Sequence, residues 1–304
     1  MSFNQIIGCL KRPRKIFRIL ICKTARIWSD ETFLKILFPL RVGYKLNLDN
    51  PKTFNEKLQW LKLYNRKPIY TKMVDKVDAK EYVANIIGEE YIIPTLGVYN
   101  SVDDIDFNKL PNQFVLKCTH DSGGIVICSD KSKLNIEEAK NKLRRGLKVN
   151  YYYQNREWPY LNVKPRIIAE QYMVDESGYE LKDYKFFCFD GKVNLLFIAT
   201  DRGSEAEETK FDFFDADFNH LPFTNGHPNA TKPIVQPKGF EKMKELAAKL
   251  SKGHSHLRVD LYDINGKIYF GELTFFHWSG MTPFVPVEWD YKLGEMIKLP
   301  IREV

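Results

Sequence analysis

Asp260 and Glu272 are the carboxylates in this chain whose spacing suggests chemistry. They stand in RVDLYDINGKIYFGELTF, on either side of an Asn265-Gly266 step that reads as a two-residue hairpin turn. Such a hairpin lets both point to one face among apolar neighbours. Two carboxylates there repel and lose water, a cost that a divalent cation relieves, and Mg²⁺ bridging them to nucleotide phosphates is chemistry the pair suits. The plainer alternative pairs them with Arg258 or a lysine.

The segment FVLKCTHDSGGIVI supplies complementary charge. Lys117 ends a β-prone run, and Ser122, Gly123 and Gly124 follow in a loop whose backbone N–H groups can surround a polyphosphate. An ordinary hairpin turn explains the same Ser-Gly-Gly. His254 and His256 have the spacing of a metal pair without a third ligand, so a solvated turn is expected there. His277 and Trp278 follow the carboxylate hairpin, where they either meet a substrate or pack. Asp215-Ala216-Asp217 has the form of a sugar-nucleotide motif, but it falls in a stretch that a hairpin turn explains.

These residues need a folded body. The chain has 304 residues, 44% hydrophobic and 14% aromatic, enough for one large core or two to three smaller ones. The net charge of +7 suits an anionic partner: nucleotide phosphate, acidic lipid, acidic saccharide or nucleic acid. Five cysteines without a C-x-x-C pair argue against a disulfide framework and a zinc site. No stretch reaches the roughly 20 apolar residues of a membrane span, and the start has no long uncharged apolar segment, so a cytoplasmic location is expected.

Residues 3–28 mix isoleucine, leucine and phenylalanine with Lys11, Arg12, Arg14, Lys15, Arg18, Lys23 and Arg26. The pattern fits a basic amphipathic helix on anionic lipid, or a helix packed on the body with a solvated basic face, with Pro13 interrupting it or in its first turn. Helices are expected after Thr53 or Asn55, over residues 75–87 up to Gly88, over 137–148 and over 240–250. Strands are expected at Ile92-Ile93, 114–116, 125–128 and 166–173, then at 184–189 and 192–200 around an Asp190-Gly191 turn, at 210–218, and on both arms of the carboxylate hairpin. Tyr151 to Tyr160 is aromatic, broken by Pro159, and expected to be irregular. Tyr151 to Tyr153 with Trp158 read as rings that stack on a sugar or on a nucleic-acid base, or more plainly as a lid packed on the body.

The order of Lys76 in an Asp-Lys step, Lys117 before Gly-Gly, Glu170-Gln171 after an apolar run, and Asp260 and Glu272 on a hairpin resembles the ATP-grasp superfamily. From about Pro51 to Pro300 the chain resembles the TupA-like ATP-grasp family of bacterial polysaccharide loci, through NPKTFNEKLQWLKLYNR, the paired DK and LKCTHDSGG, and GELTFFHWSG. Gly280-Met281-Thr282 is similar to the tail of the D-alanyl-D-alanine ligase signature.

The resemblance implies an α+β ATP-grasp fold, two lobes clasping ATP behind a helical N-terminal region. Its divisions are 1–50, basic and amphipathic; 51–110, a pre-grasp region; 111–170, the small lobe with the Gly-rich loop; and 171–304, the large lobe with the metal hairpin. It implies that Lys76 and Lys117 hold the ATP phosphates and that Ser122, Gly123 and Gly124 close over them. Gln171 and Tyr172 receive adenine through backbone groups, Glu170 lies near adenine or ribose, and Asp183 and Lys185 face the nucleotide. Asp260 and Glu272 ligate Mg²⁺, and Thr274 stands where the family has an asparagine ligand. Arg258, with Lys117, is catalytic by neutralising charge on the way to an acyl phosphate.

The implied activity is ATP-dependent joining of a carboxylate to an amine. Its partners are an acidic sugar or polysaccharide precursor and an amino acid or amine, with no nucleic acid, and with residues 1–28 touching the inner face of the membrane if the lipid alternative holds. A glycosyltransferase of the same pathways and a non-catalytic nucleotide-binding module are the rival readings.

Overall fold

The computed structural model describes residues 13–302 apart from 122, 176, 177, 179, 180 and 201–207, with side chains from Ile16 onward. Ser122 and residues 1–12 of the basic segment therefore lie outside the described residues.

Two antiparallel sheets form the frame. The smaller has the order β1-β4-β2-β3, from Thr95–Tyr99 (β1), Phe114–Cys118 (β2), Ile125–Cys128 (β3) and Ile167–Gln171 (β4). Helix Ile136–Leu147 covers β2 and β3, and its buried Ala139 and Leu143 join Phe114, Leu116 and Ile167 in a separate small core. The larger sheet has the order β10-β9-β5-β6-β7, from Asp183–Phe189 (β5), Lys192–Thr200 (β6), Lys210–Asp215 (β7), Leu257–Ile264 (β9) and Lys267–Thr274 (β10). Its phenylalanine-rich strands pack against helix Phe240–Ser251 within the main core, Phe186 meeting Phe240 at 6.1 Å between ring centroids. A two-stranded piece pairs Thr224–Asn225 (β8) with Phe284–Val285 (β11).

Helices precede the sheets. In chain order they are Pro13–Lys23 (α1), Asp30–Val42 (α2), Phe54–Tyr64 (α3), Ile69–Val74 (α4) and Asp78–Ile87 (α5). Among the described residues α1 runs from Pro13. Thr53 caps α3 in a capping box with Glu56. The helix expected from residue 75 begins three residues later because the Asp75 carboxylate accepts the amides of Val77 and Asp78 as a local turn. Helix Glu288–Met296 near the end of the chain, α9 here after Ile136–Leu147 (α6), Tyr152–Asn155 (α7) and Phe240–Ser251 (α8), lies across α3.

Three readings need correction. The strand expected at Ile92-Ile93 starts at Thr95, because Glu89–Tyr91 closes a 3-10 turn and the ladder is joined from the Pro94 carbonyl, which accepts from the Gln171 amide. The 151–160 segment is only partly irregular, containing α7 and a 3-10 turn at Trp158–Tyr160. The His254–His256 turn is not solvated. Both imidazoles are buried against rings, His254 beside Tyr70 and Phe275 and His256 among Phe54, Phe187 and Phe189, and burial lowers them to about 4 and about 3. The Asp215-Ala216-Asp217 step is a turn as expected: Asp215 accepts the amides of Asp217 and Asn219.

The seam between α3 and α9 leaves no room for a side chain at Gly294, whose added Cβ would lie 2.1 Å from the Lys52 carbonyl oxygen. Gly294→Ala is expected to cost about 1–3 kcal/mol, read as a lower denaturation midpoint at constant m. An unchanged midpoint would mean that the seam opens without strain.

Candidate functional site

The site starts from a break in the hairpin ladder. Counting back from the Asn265-Gly266 turn, where both residues have positive φ, the pairs run Ile264–Lys267, Asp263–Ile268, Tyr262–Tyr269 and Leu261–Phe270. Strict alternation would next set Asp260 opposite Gly271 and turn Glu272 to the other face. A bulge at Gly271 instead sets Glu272 opposite Asp260. Glycine suits the bulge, since a Cβ there would lie 3.0 Å from the Asp260 carbonyl oxygen and 3.1 Å from the Tyr262 ring. Lys185 of β5 is the partner of Asp260 across the neighbouring ladder. One face of the sheet thus carries Asp183, Lys185, Arg258, Asp260, Glu272 and Thr274.

The plainer pairing is realised as well. Asp260, 0% exposed, takes the Arg258 guanidinium in a two-point contact at 2.7 Å on each oxygen and also accepts from Lys185. Arg258 Nη2 reaches Glu272 at 2.8 Å and Thr274 Oγ1 at 3.0 Å, and the Thr274 hydroxyl donates to Glu272 at 3.3 Å. Lys185 lies 3.5 Å from Asp183. Burial opposes charge on Glu272, but Lys185, Arg258 and Lys76 outweigh it and hold the carboxyl down to about 2. Burial likewise opposes the Arg258 proton, and Asp260 and Glu272 retain it.

His277 sits behind Arg258, with Nδ1 3.1 Å from Nη1 and Nε2 2.9 Å from Asn225 Oδ1. Burial, then Arg258, lowers its pKa, so it stays neutral. It is therefore a packed orienting group, whereas Trp278 beside it remains 43% exposed.

Lys76, near enough to Glu272 to act on its charge, donates from its ammonium to the Asp121 carbonyl oxygen, and its amide bonds the Thr119 carbonyl. Burial lowers its pKa, while Glu272 and Asp121 support its charge and Lys117 opposes it. Lys117 is 2.7 Å from Glu170, whose other oxygen meets Lys80 at 2.5 Å. Glu170 is thus a buried carboxylate between two ammonium groups. Gly123 faces open space, whereas the Gly124 amide is held by the Asp121 carboxylate at 3.1 Å. The Gln171 amide is committed to Pro94, and Tyr172 follows at the exit of the small sheet.

Several participants escaped the sequence reading. Lys80 follows Lys76 by four residues, a spacing that could have flagged it. Fully buried Lys62 donates to Gln59 and to the Asn155 and Ser279 carbonyls, while Glu157 accepts from the Ser279 hydroxyl. Burial lowers the Lys62 pKa and raises that of Glu157. With Gln59, which bonds the Ser279 and Gly280 carbonyls, they brace the loop in which Trp278, Ser279 and Gly280 all have positive φ. Nothing in sequence spacing joins residues 62, 157 and 279.

Asp260 and Glu272 stand side by side with a hydroxyl at Thr274, oxygens of the type a hard cation takes, but in this arrangement Arg258 and Lys185 occupy both oxygens of Asp260. Among the described residues no group of three or more histidine, cysteine, aspartate or glutamate side chains could hold a metal.

Comparison with known proteins gives the arrangement its family. No curated protein matches the chain. Solved structures similar to it include D-alanine–D-alanine ligase from Bacillus anthracis, at 16% identity and TM-score 0.43 over 81% of this chain and 69% of that one. The ATP-grasp ligase PsnB complexed with minimal precursor, Mg and ADP is similar at 13% and 0.39 over 72% and 57%. L-amino acid ligase from Bacillus licheniformis is similar at 15% and 0.44 over 72% and 47%. The family model for TupA-like ATP-grasp proteins matches residues 56–298, well over half of the sequence and every strand of both sheets, so this chain belongs to the TupA-like ATP-grasp family.

Proposed function

We propose that this chain is an ATP-dependent carboxylate–amine ligase that attaches an amino acid or amine to an acidic sugar of a surface polysaccharide precursor. The observation that carries the reading is that Lys76, with Lys117 acting on its charge, comes close enough to Glu272 to hold its carboxylate ionised, beside Arg258 and Asp260. The family supports the use of ATP, and the acidic sugar follows from likeness to the family's polysaccharide setting.

In this reading Lys76 and Lys117 take the phosphates, Ser122, Gly123 and Gly124 cover them, and Gln171 and Tyr172 take adenine, with Asp183 and Lys185 facing the nucleotide. Asp260, Glu272 and Thr274 would hold Mg²⁺, which when bound neutralises phosphate charge. A substrate carboxylate oxygen bonds to the γ-phosphorus as the bond to ADP breaks. The amine nitrogen then bonds to the acyl carbon as phosphate leaves, and the nitrogen gives up a proton. Arg258 is fixed by Asp260 and Glu272 and needs no reorganisation to meet the developing charge.

The N-terminal segment supports a peripheral membrane contact. Seven of the 46 lysines and arginines lie within residues 1–28, which contain no acid, so the remainder balances at 39 against 39. The net charge of +7 therefore belongs to that segment and not to the cleft. In α1 and the turn after it Phe17, Leu20 and Ile27 are 47%, 53% and 76% exposed, an outward apolar stripe beside Arg18, Lys23 and Arg26. No helix among the described residues is long and apolar enough to cross a membrane.

Incubation with Mg-ATP, amino acids and acidic sugars is expected to release ADP, with Lys117→Ala and Glu272→Gln each lowering the rate on the order of 100-fold. UDP released from a UDP-sugar instead would overturn the ligase. Acid should act through Glu272: it titrates near 4.3 when unfolded and about 2 when folded, so its stabilisation is complete above about pH 5 and fades as pH falls towards 2. The melting temperatures of native protein and Glu272→Gln should accordingly converge over that fall, and a constant gap would refute the pairing. Deleting residues 1–28 should reduce co-sedimentation with phosphatidylglycerol vesicles. Equal recovery with and without the segment would sink the membrane contact.

A further inference from the structure

Glu170 raises a question about how the nucleotide site is kept ready. Its buried carboxylate holds Lys117, the ammonium that the proposed reaction needs on a phosphate, at 2.7 Å. A buried carboxylate that loses its only cation pays heavily, so a lone Glu170–Lys117 pair would resist the departure of Lys117. The second oxygen of Glu170 is not alone, however. Lys80 meets it at 2.5 Å and is anchored on the other side by the Ile93 carbonyl at 2.7 Å and the Thr95 hydroxyl at 3.0 Å. Among the described residues Lys117 has no comparable second anchor, and its side chain is 21% exposed against 13% for Lys80.

We infer that Lys80 is a positioning residue for nucleotide binding: it neutralises Glu170 permanently, so that Lys117 can leave the carboxylate for a phosphate without stranding a buried charge. The inference rests on the proposed use of ATP. The two lysines divide one task by anchorage. Lys80 is tied to the start of β1 and stays, while Lys117, at the end of β2 beside the Gly-rich loop, is free to turn into the cleft. Glu170 in this view does not reach the adenine, because both of its oxygens are occupied within the small lobe.

The test is ATP affinity in full-length protein, measured by calorimetry with Mg-ATP for the native chain, Lys80→Met, Glu170→Gln and the double variant. Lys80→Met should raise the Kd roughly ten- to hundredfold, since Glu170 then keeps Lys117. Glu170→Gln should bind at least as tightly as native protein. Adding it to Lys80→Met should restore most of the lost affinity, a rescue that mere damage to the small lobe would not produce. Native affinity in Lys80→Met, or a double variant no tighter than Lys80→Met, overturns the role of Lys80 and leaves the ligase reading standing. Failure of the native chain to bind Mg-ATP overturns both.

Discussion

A carboxylate buried in a β-sheet must be matched by cations, and at Asp260 that constraint organises the whole cleft. The side chain has no access to solvent, and each of its oxygens is met by Arg258, with Lys185 adding a second cation. Removing one member of such a buried set would leave an unpaired charge at a cost of about 3–5 kcal/mol. The cluster is therefore held in shape before any ligand arrives, and Glu272 is ionised as part of it. Its charges stand in place, so a charged ligand arriving there would exchange partners with them instead of ordering them.

The same principle repeats at smaller scale beside the smaller sheet and around the Ser279 loop. Glu170 is shared by Lys80 and Lys117, and the buried Lys62 and Glu157 both hold Ser279, one at its carbonyl and the other at its hydroxyl. The segment of α3 that carries much of the family likeness, with Asn55, Gln59 and Lys62, is bonded to the backbone after the carboxylate hairpin and to Asp290. Asn55 joins Asp290 and the Thr282 carbonyl, and Gln59 and Lys62 hold the Ser279 and Gly280 carbonyls. Its role is to fix the backbone that follows the carboxylate hairpin, in a conformation with three successive positive φ angles that would not persist unsupported.

Charge is also partitioned along the chain. The body is balanced, with 39 lysines and arginines against 39 aspartates and glutamates, and Lys117, Lys185 and Arg258 are paired with Glu170, Asp183, Asp260 and Glu272. The excess belongs to a segment that also shows apolar side chains to solvent.

Much of the frame was legible in the sequence because it rests on local rules. Thr53 and Glu56 make a capping box, Asn265-Gly266 a hairpin turn, Asp190-Gly191 another, and alternating apolar runs the strands of the large sheet. The residue types able to bind phosphate and metal could be named for the same reason, with family likeness supplying their roles. What only the tertiary structure decided was which charges face one another. The sequence reading set Glu272 on the face of Asp260, yet strict parity counted from the turn turns it away, and it is the extra residue at Gly271 that brings the two carboxylates together. Lys80, Lys62, Glu157 and the burial of His254 and His256 were equally hidden. Pairing between residues dozens of positions apart, and the loss of water that makes it matter, depends on how whole elements pack and leaves no mark in local spacing.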